Sequence, residues 1–216
     1  LHRSFLLGDA GRLAAAGMVV LWALRLATFL FGRILRLKVD HRFDGIREDF
    51  RAFARFWALQ TVSVSVIMLP VIAILAAAPP AFSPLHALGA ALWLAGLLVE
   101  TVADAQKAAW KRSGAKGLIV TGLWSWSRHP NYFGEFLLWW GLWVFALPSL
   151  AGWWHLAVLG PLYITLLLLR VTGIPLLEKS AEERYGNDTA YRDYKARTST
   201  FFPLPPTRKA ARSGDQ

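Results

Sequence analysis

The stretch from Ser127 to Gly141, "SRHPNYFGEFLLWWG", puts Arg128, His129, Asn131 and Glu135 at the start of an apolar run. Pro130 suits the first turn of a helix, where its missing N–H costs nothing, so a helix starts here with unpaired N–H groups beside Arg128 and His129. Such a terminus favours anions. Asn131 and Glu135 are four residues apart and share a face, and Gly134 between them lets another group approach the backbone. A carboxylate one turn inside apolar sequence is costly unless it meets a partner or a water-filled cavity, which gives Glu135 a functional reading. Arg128 and His129 fit interfacial anchors as well as ligand contacts.

Two further clusters have direction. Glu100, Asp104, Lys107 and Lys111 fall on one helical face, a spacing that also suits ion pairs at a solvated helix end, although Glu100 is still inside apolar sequence. Arg25, Arg33 and Arg36 recur at near-helical spacing along an earlier apolar segment. Arg33 and Arg36 fit ordinary flanking cations; Arg25 lies deeper, where an arginine pairs, snorkels or lines a polar cavity. Arg170 poses the same choice near the end of the last apolar run. The tail "LLEKSAEERYGNDTAYRDYKARTSTFFP" reads either as an amphipathic surface helix or as a cap closing a polar cavity. A site for a polar, anionic ligand at one membrane face, joined to an apolar space, uses all of these groups.

The elements that must position them are membrane helices. The 216 residues are 55% hydrophobic, with 11 Trp and no Cys, and a mean hydropathy of +0.37 argues against a water-soluble globule. The net charge of +10 is concentrated between apolar runs, which favours anionic headgroups over nucleic acid, and the lack of cysteine excludes disulfides and thiolate-held metals. At about 20 apolar residues per span, five spans are predicted near 13–31, 53–77, 85–102, 132–147 and 156–171, with kinks at Pro70 and Pro161. This is an all-α polytopic bundle. The connections "GRILRLKVDHRFDGIREDFRAFAR" and "DAQKAAWKRSGAKG" and the tail are basic, whereas "APPAFSPL" and "PSLAGWWH" carry no Lys or Arg. The positive-inside rule then puts the ends of spans one, three and five, and the C-terminus, in the cytoplasm. Residues 1–205 are expected to form one domain with a cytosolic cap at 175–205, and 206–216 to be disordered. The chain starts without Met and shows no signal peptide, so upstream residues are expected, and two more spans there would keep every orientation.

The run "GLWSWSRHPNYFGEFLLWWG", preceded by "ETVADAQKAAW" and followed by the tail ending in "TSTFFP", resembles the steroid 5α-reductase family, most closely its bacterial membrane members. The similarity runs from "LWALRLATFLFGRILR" through "FWALQ" to "TSTFFP". It implies a seven-helix reductase of a bacterial inner membrane, with a cytosol-facing cavity for NADPH and hydride transfer to the double bond of an enone, a 3-oxo-4-ene steroid or another lipid-like substrate. The resemblance implies that Asn131 and Glu135, next to Arg128 and His129, hold the nicotinamide end. Asp104, Lys107 and Lys111 would follow the ribose and phosphates, Arg33, Arg36 and Arg170 would add charge, and Glu178 and Tyr194 would cover the cofactor. Trp22 and Gln60 would face substrate. Trp22 stands where steroid enzymes carry a tyrosine, and Leu118 where many relatives carry a cation. The family's activating glutamate would lie upstream of residue 1, so no catalytic residue is assigned.

Two other classes compete. Membrane methyltransferases using S-adenosylmethionine, of the isoprenylcysteine carboxyl methyltransferase type, share the "RHPxY" helix start and a similar tail, where Glu182 and Glu183 would meet the cofactor. The Asp104–Lys107 face, the arginines suited to phosphate and the "TSTFFP" ending favour the reductase. A transporter or channel would also bury polar residues in helices, but no inverted repeat is visible.

Overall fold

The computed structural model describes residues 2–37, 45–46, 48–78 and 80–207, with the side chains at 2–9, 33, 36 and 37 outside that description. The expected contacts of Arg33 and Arg36, and residues 208–216 of the expected tail, therefore lie outside the described residues.

Helices cover the predicted apolar runs, and two more form in the polar tail. They are α1 (His2–Leu37), α2 (Phe50–Ile67), α3 (Leu69–Ala76), α4 (Pro84–Arg112), α5 (Pro130–Ala146), α6 (Leu159–Leu166), α7 (Ile174–Tyr185) and α8 (Thr189–Arg197). Among the described residues there is no strand. Local chemistry fixes the ends: Asp49 and Asp188 cap α2 and α8 by accepting the N–H groups of Arg51 and Ala190, each at 2.8 Å. Pro70, expected to bend one span, sits in the first turn of α3, and α2 and α3 meet at 55° across Met68. Gly114, just past α4, has φ +72°, a left-handed conformation that ends a helix with no side-chain penalty.

Among the described residues three helical stretches are long and apolar enough to cross a membrane: Ala10–Gly32, Pro84–Arg112 and Gly152–Tyr185; the bent α2–α3 pair makes a fourth if it is one span. The protein is an all-α, integral membrane helical bundle. The remaining expected span, 132–147, is α5, whose 17 residues cover about 26 Å at 1.5 Å per residue, a little under a hydrocarbon core of about 30 Å. The last span is not a plain α-helix. It runs through a 3₁₀ segment, Gly152–Val158, then α6, then a π-helical turn, Leu167–Val171, and Pro161 falls early in α6 instead of kinking mid-span.

The chain divides into two compact units, Leu1–Trp93 with Trp139–Tyr163, and Leu94–Leu138 with Ile164–Gln216. In the first, α1 packs on α3 and α3 on the Gly152–Val158 segment. Gly141 lies so close to α4 that a Cβ there would stand 2.4 Å from the Trp93 nitrogen. Large apolar side chains such as Leu13, Leu21, Leu24 and Leu59 are more than half exposed, which suits lipid and would be an aggregation surface in water. In the second unit, α4 and α5 meet through Gly96 and Gly134: Cβ atoms there would stand 2.5 Å from the backbone nitrogens of Leu138 and Glu100. Small residues that let helix backbones touch are the usual adhesive of membrane bundles, where lipid removes the hydrophobic incentive.

Candidate functional site

The second unit holds most of the residues singled out by sequence. Its geometry starts from Ser127, fully buried just ahead of α5. The Ser127 hydroxyl accepts the His129 N–H at 3.1 Å and donates to the Phe201 carbonyl at 2.8 Å. The Arg128 N–H donates to the Ser199 carbonyl at 2.8 Å, and the Leu204 N–H to the Trp126 carbonyl at 3.1 Å. The "TSTFFP" segment is thus a clasp on the mouth of α5. Its phenylalanines complete it, with Phe201 edge-on to Phe133 and Phe136 at 5.8 and 5.4 Å. The sequence marked this segment only as a family feature; no local pattern announces pairing across some seventy positions.

The clasp delivers Arg128 and His129 to one carboxylate. Glu178 on α7 lies 3.2 Å from the Arg128 guanidinium and 2.7 Å from His129 Nε2, and Arg128 also donates to the Thr200 hydroxyl. His129 is 5% exposed and stacks on Tyr132 at 5.9 Å, and among the described residues its Nδ1 has no partner.

A second group surrounds Trp124. Its indole N–H donates to the Ala103 carbonyl at 3.0 Å, Lys107 stands 4.6 Å over its ring, and its carbonyl accepts the Tyr194 phenol at 2.6 Å. Gln106 on α4 accepts the Leu123 N–H at 3.0 Å, tying the same loop down. Burial holds the Tyr194 phenol well above its ordinary pKa, so it stays a donor. Glu182, the residue of the methyltransferase reading, is occupied by Lys195 and by the Tyr191 phenol at 3.3 Å.

Glu100 and Asp104 are buried on α4, and Glu100 meets α5 at Gly134. Asn131 and Glu135, one to either side of Gly134 on α5, are half-buried, and the Asn131 amide makes no hydrogen bond among the described residues. Lys111 is exposed at the end of α4, as is Arg170 within the π-helical turn. Insertions of this kind recur at functional sites, and no composition signal in "TLLLLRVTG" marks one. The structure therefore joins Arg128, His129 and Glu178 directly, links Lys107 to Tyr194 through Trp124, and leaves Asn131, Lys111 and Arg170 available to a ligand. Among the described residues no group of three His, Cys, Asp or Glu could hold a metal ion.

The expected substrate residues lie in the first unit. Trp22 on α1 stacks edge-on with Trp139 of α5 at 5.0 Å, and both indole N–H groups are buried without an acceptor among the described residues. Gln60 is exposed on α2.

Fold and site together define a polytopic helical membrane protein with a buried, charged cluster at the start of one helix. Residues 9–198 match the family described as Protein of unknown function (DUF1295), and the chain belongs to that family, which is steroid 5α-reductase-like. An uncharacterized protein of Schizosaccharomyces pombe is similar, 36% identical over 91 residues, covering 41% of this chain and 24% of the relative. The match thus spans about a quarter of that relative's length. No solved structure matches.

Proposed function

We propose that the protein is an NADPH-dependent integral-membrane reductase that transfers hydride to the carbon–carbon double bond of an enone carried by a lipid-like substrate. The protein lies in a bacterial inner membrane with its C-terminus cytoplasmic. The observation that carries this reading is the second unit's polar set on and around the start of α5. There a half-buried Asn131 amide on α5, which also bears Glu135, and a buried His129 Nδ1 just ahead of that helix lack partners among the described residues. The exposed cations Lys111 and Arg170 belong to the same unit.

These groups fit a dinucleotide by their chemistry. A carboxamide is met by an amide that both donates and accepts, and phosphates are met by Arg and Lys. Asn131 and Glu135 would hold the nicotinamide end, Asp104 and Lys107 the ribose, and Lys111 and Arg170 the phosphates. NADPH supplies the hydride. Glu178 acts one step back, fixing Arg128 and His129, and Tyr194 fixes the Trp124 loop on which Lys107 rests. In the first unit, the unpaired N–H groups of Trp22 and Trp139 suit an acceptor such as a substrate carbonyl.

The test is titration of the purified, detergent-solubilised protein with NADPH, NADH and S-adenosylmethionine, with mass spectrometry of any co-purified small molecule. NADPH binding that weakens at least tenfold in Asn131→Ala and Glu135→Gln is expected. Capture of S-adenosylmethionine without NADPH would reject the reductase in favour of the methyltransferase.

A further inference from the structure

The first unit contains a cleft of about 410 Å³ between the N-terminal half of α1, the chain joining α3 to α4, and the ends of α4 and α5. Its volume lies in the range of small-molecule sites, about 300–1,000 Å³. Met18, Phe82 and Phe145 give it apolar walls, and Arg12, His86 and Ser149 are its polar groups. Among the described residues no acidic side chain lines it.

His86 is 5% exposed and held on every side. Phe82 stacks on it at 5.5 Å, Phe145 meets it edge-on at 5.0 Å, and its Nδ1 accepts the Ser83 N–H at 3.1 Å. An Nδ1 that accepts a backbone N–H puts the ring proton on Nε2, so this nitrogen is a donor. Among the described residues neither Nε2 nor the Ser149 hydroxyl, on a side chain 8% exposed, has a hydrogen-bond partner. The Arg12 guanidinium donates to the Ala77 carbonyl, which fixes a cation at the same wall. A buried polar group with no partner calls for a water or a ligand. Here the His86 Nε2 and the Ser149 hydroxyl, on buried side chains, line one largely apolar space together with Arg12.

We infer that this cleft binds a single-chain amphiphile whose head is an acceptor-only anionic oxygen group, carboxylate or phosphate, received by His86, Ser149 and Arg12 while its chain lies along Met18, Phe82 and Phe145. None of these residues belongs to the proposed cofactor set, so the outcome of the NADPH titration does not decide this inference.

The test is photolabelling of the full chain in detergent with three diazirine-bearing probes of equal chain length: dodecanoic acid, a lysophosphatidate and dodecylamine. Peptide mass spectrometry is expected to place the acid or the lysophosphatidate label within residues 10–18, 80–90 or 145–149, at least fivefold above the amine. Whichever anionic probe labels more strongly identifies the source, a free acid or a phospholipid headgroup. His86→Phe should lower that labelling at least fivefold, and His86→Gln, which keeps an N–H donor, should retain half or more. Ser149→Ala, a smaller change, should lower it at least twofold, which keeps the test open if His86→Phe does not fold. Equal labelling by the amine, label spread over the lipid-facing helices, or labelling unmoved by Ser149→Ala would overturn the inference.

Discussion

His129 Nε2 lies 2.7 Å from the Glu178 carboxylate, and this contact fastens the start of α5 to α7. Arg128 joins from the other side at 3.2 Å, so one carboxylate serves a guanidinium and an imidazole on adjacent residues. Removing one partner of a fully buried pair costs about 3–5 kcal/mol. The Glu178 side chain is 23% exposed, so solvent screening brings the expected loss for Glu178→Ala to about 1–3 kcal/mol. A double-mutant cycle with Arg128→Ala, read by thermal unfolding in detergent, should be non-additive. Additive losses would mean that the two side chains act independently.

The glycines between α4 and α5 make a sharper prediction. A Cβ at Gly96 would stand 2.5 Å from the Leu138 nitrogen and 2.6 Å from the Gly134 carbonyl. Backbone cannot rotate aside as a side chain can, so Gly96→Ala is expected to destabilise by about 1–3 kcal/mol or more. Gly17 on α1 is the control: a Cβ there meets nothing within 4 Å. Gly17→Ala should be neutral or stabilising by up to about 1 kcal/mol through helix propensity. Matching effects at the two positions would refute close packing as the reason for Gly96.

The apolar run predicted α5 nearly to its ends and the start of α4, because hydrophobicity acts locally, whereas α1 and the end of α4 run on through polar sequence that the apolar count leaves out. Pro70 predicted a bend, and the bend occurs where α3 starts. The last span was less legible, because its 3₁₀ and π-helical segments surround the same Leu-rich run that an ordinary helix would use. What decides between them is packing. At Gly173 a Cβ would stand 2.4 Å from the Leu168 carbonyl, a tight reversal that no neighbouring residue announces.

For the candidate site, helical spacing put Asn131 and Glu135 on one face of a helix, and both residues lie on α5. It could not reveal that Glu178 is held by Arg128 and His129, or that the Tyr194 hydroxyl turns to the Trp124 carbonyl. Those partners are about fifty and seventy residues apart, a separation that local spacing does not reach. The expected role of Trp22 gained a neighbour, Trp139, by the same non-local route.

The exposed cations offer a separable test of the proposed cofactor. Lys111 and Arg170 are exposed, so replacing either by Gln should leave the unfolding midpoint nearly unchanged. A charge-assisted contact to phosphate is worth about 1.5–3 kcal/mol, so each change should weaken NADPH about ten- to hundredfold. The loss should shrink as salt is raised, because exposed charges are screened. An unchanged dissociation constant in both variants would remove them from the phosphate site.

Tyr194 links stability to pH. Its phenol is buried and donates to the Trp124 carbonyl at 2.6 Å, and burial raises its pKa above the ordinary value. The folded state therefore keeps a proton that the unfolded chain releases near pH 10. The stabilisation is fully present below that pH and declines as pH rises towards the folded pKa. Tyr194→Phe leaves the Trp124 carbonyl without this donor and should cost about 1–3 kcal/mol at neutral pH. It should also flatten the dependence: between pH 9 and 11 the unfolding midpoint of the unmodified protein should fall more steeply than that of the variant, so the two curves converge. Circular dichroism melts of both proteins across that range decide it, and parallel curves would show that the Tyr194 proton is not linked to folding.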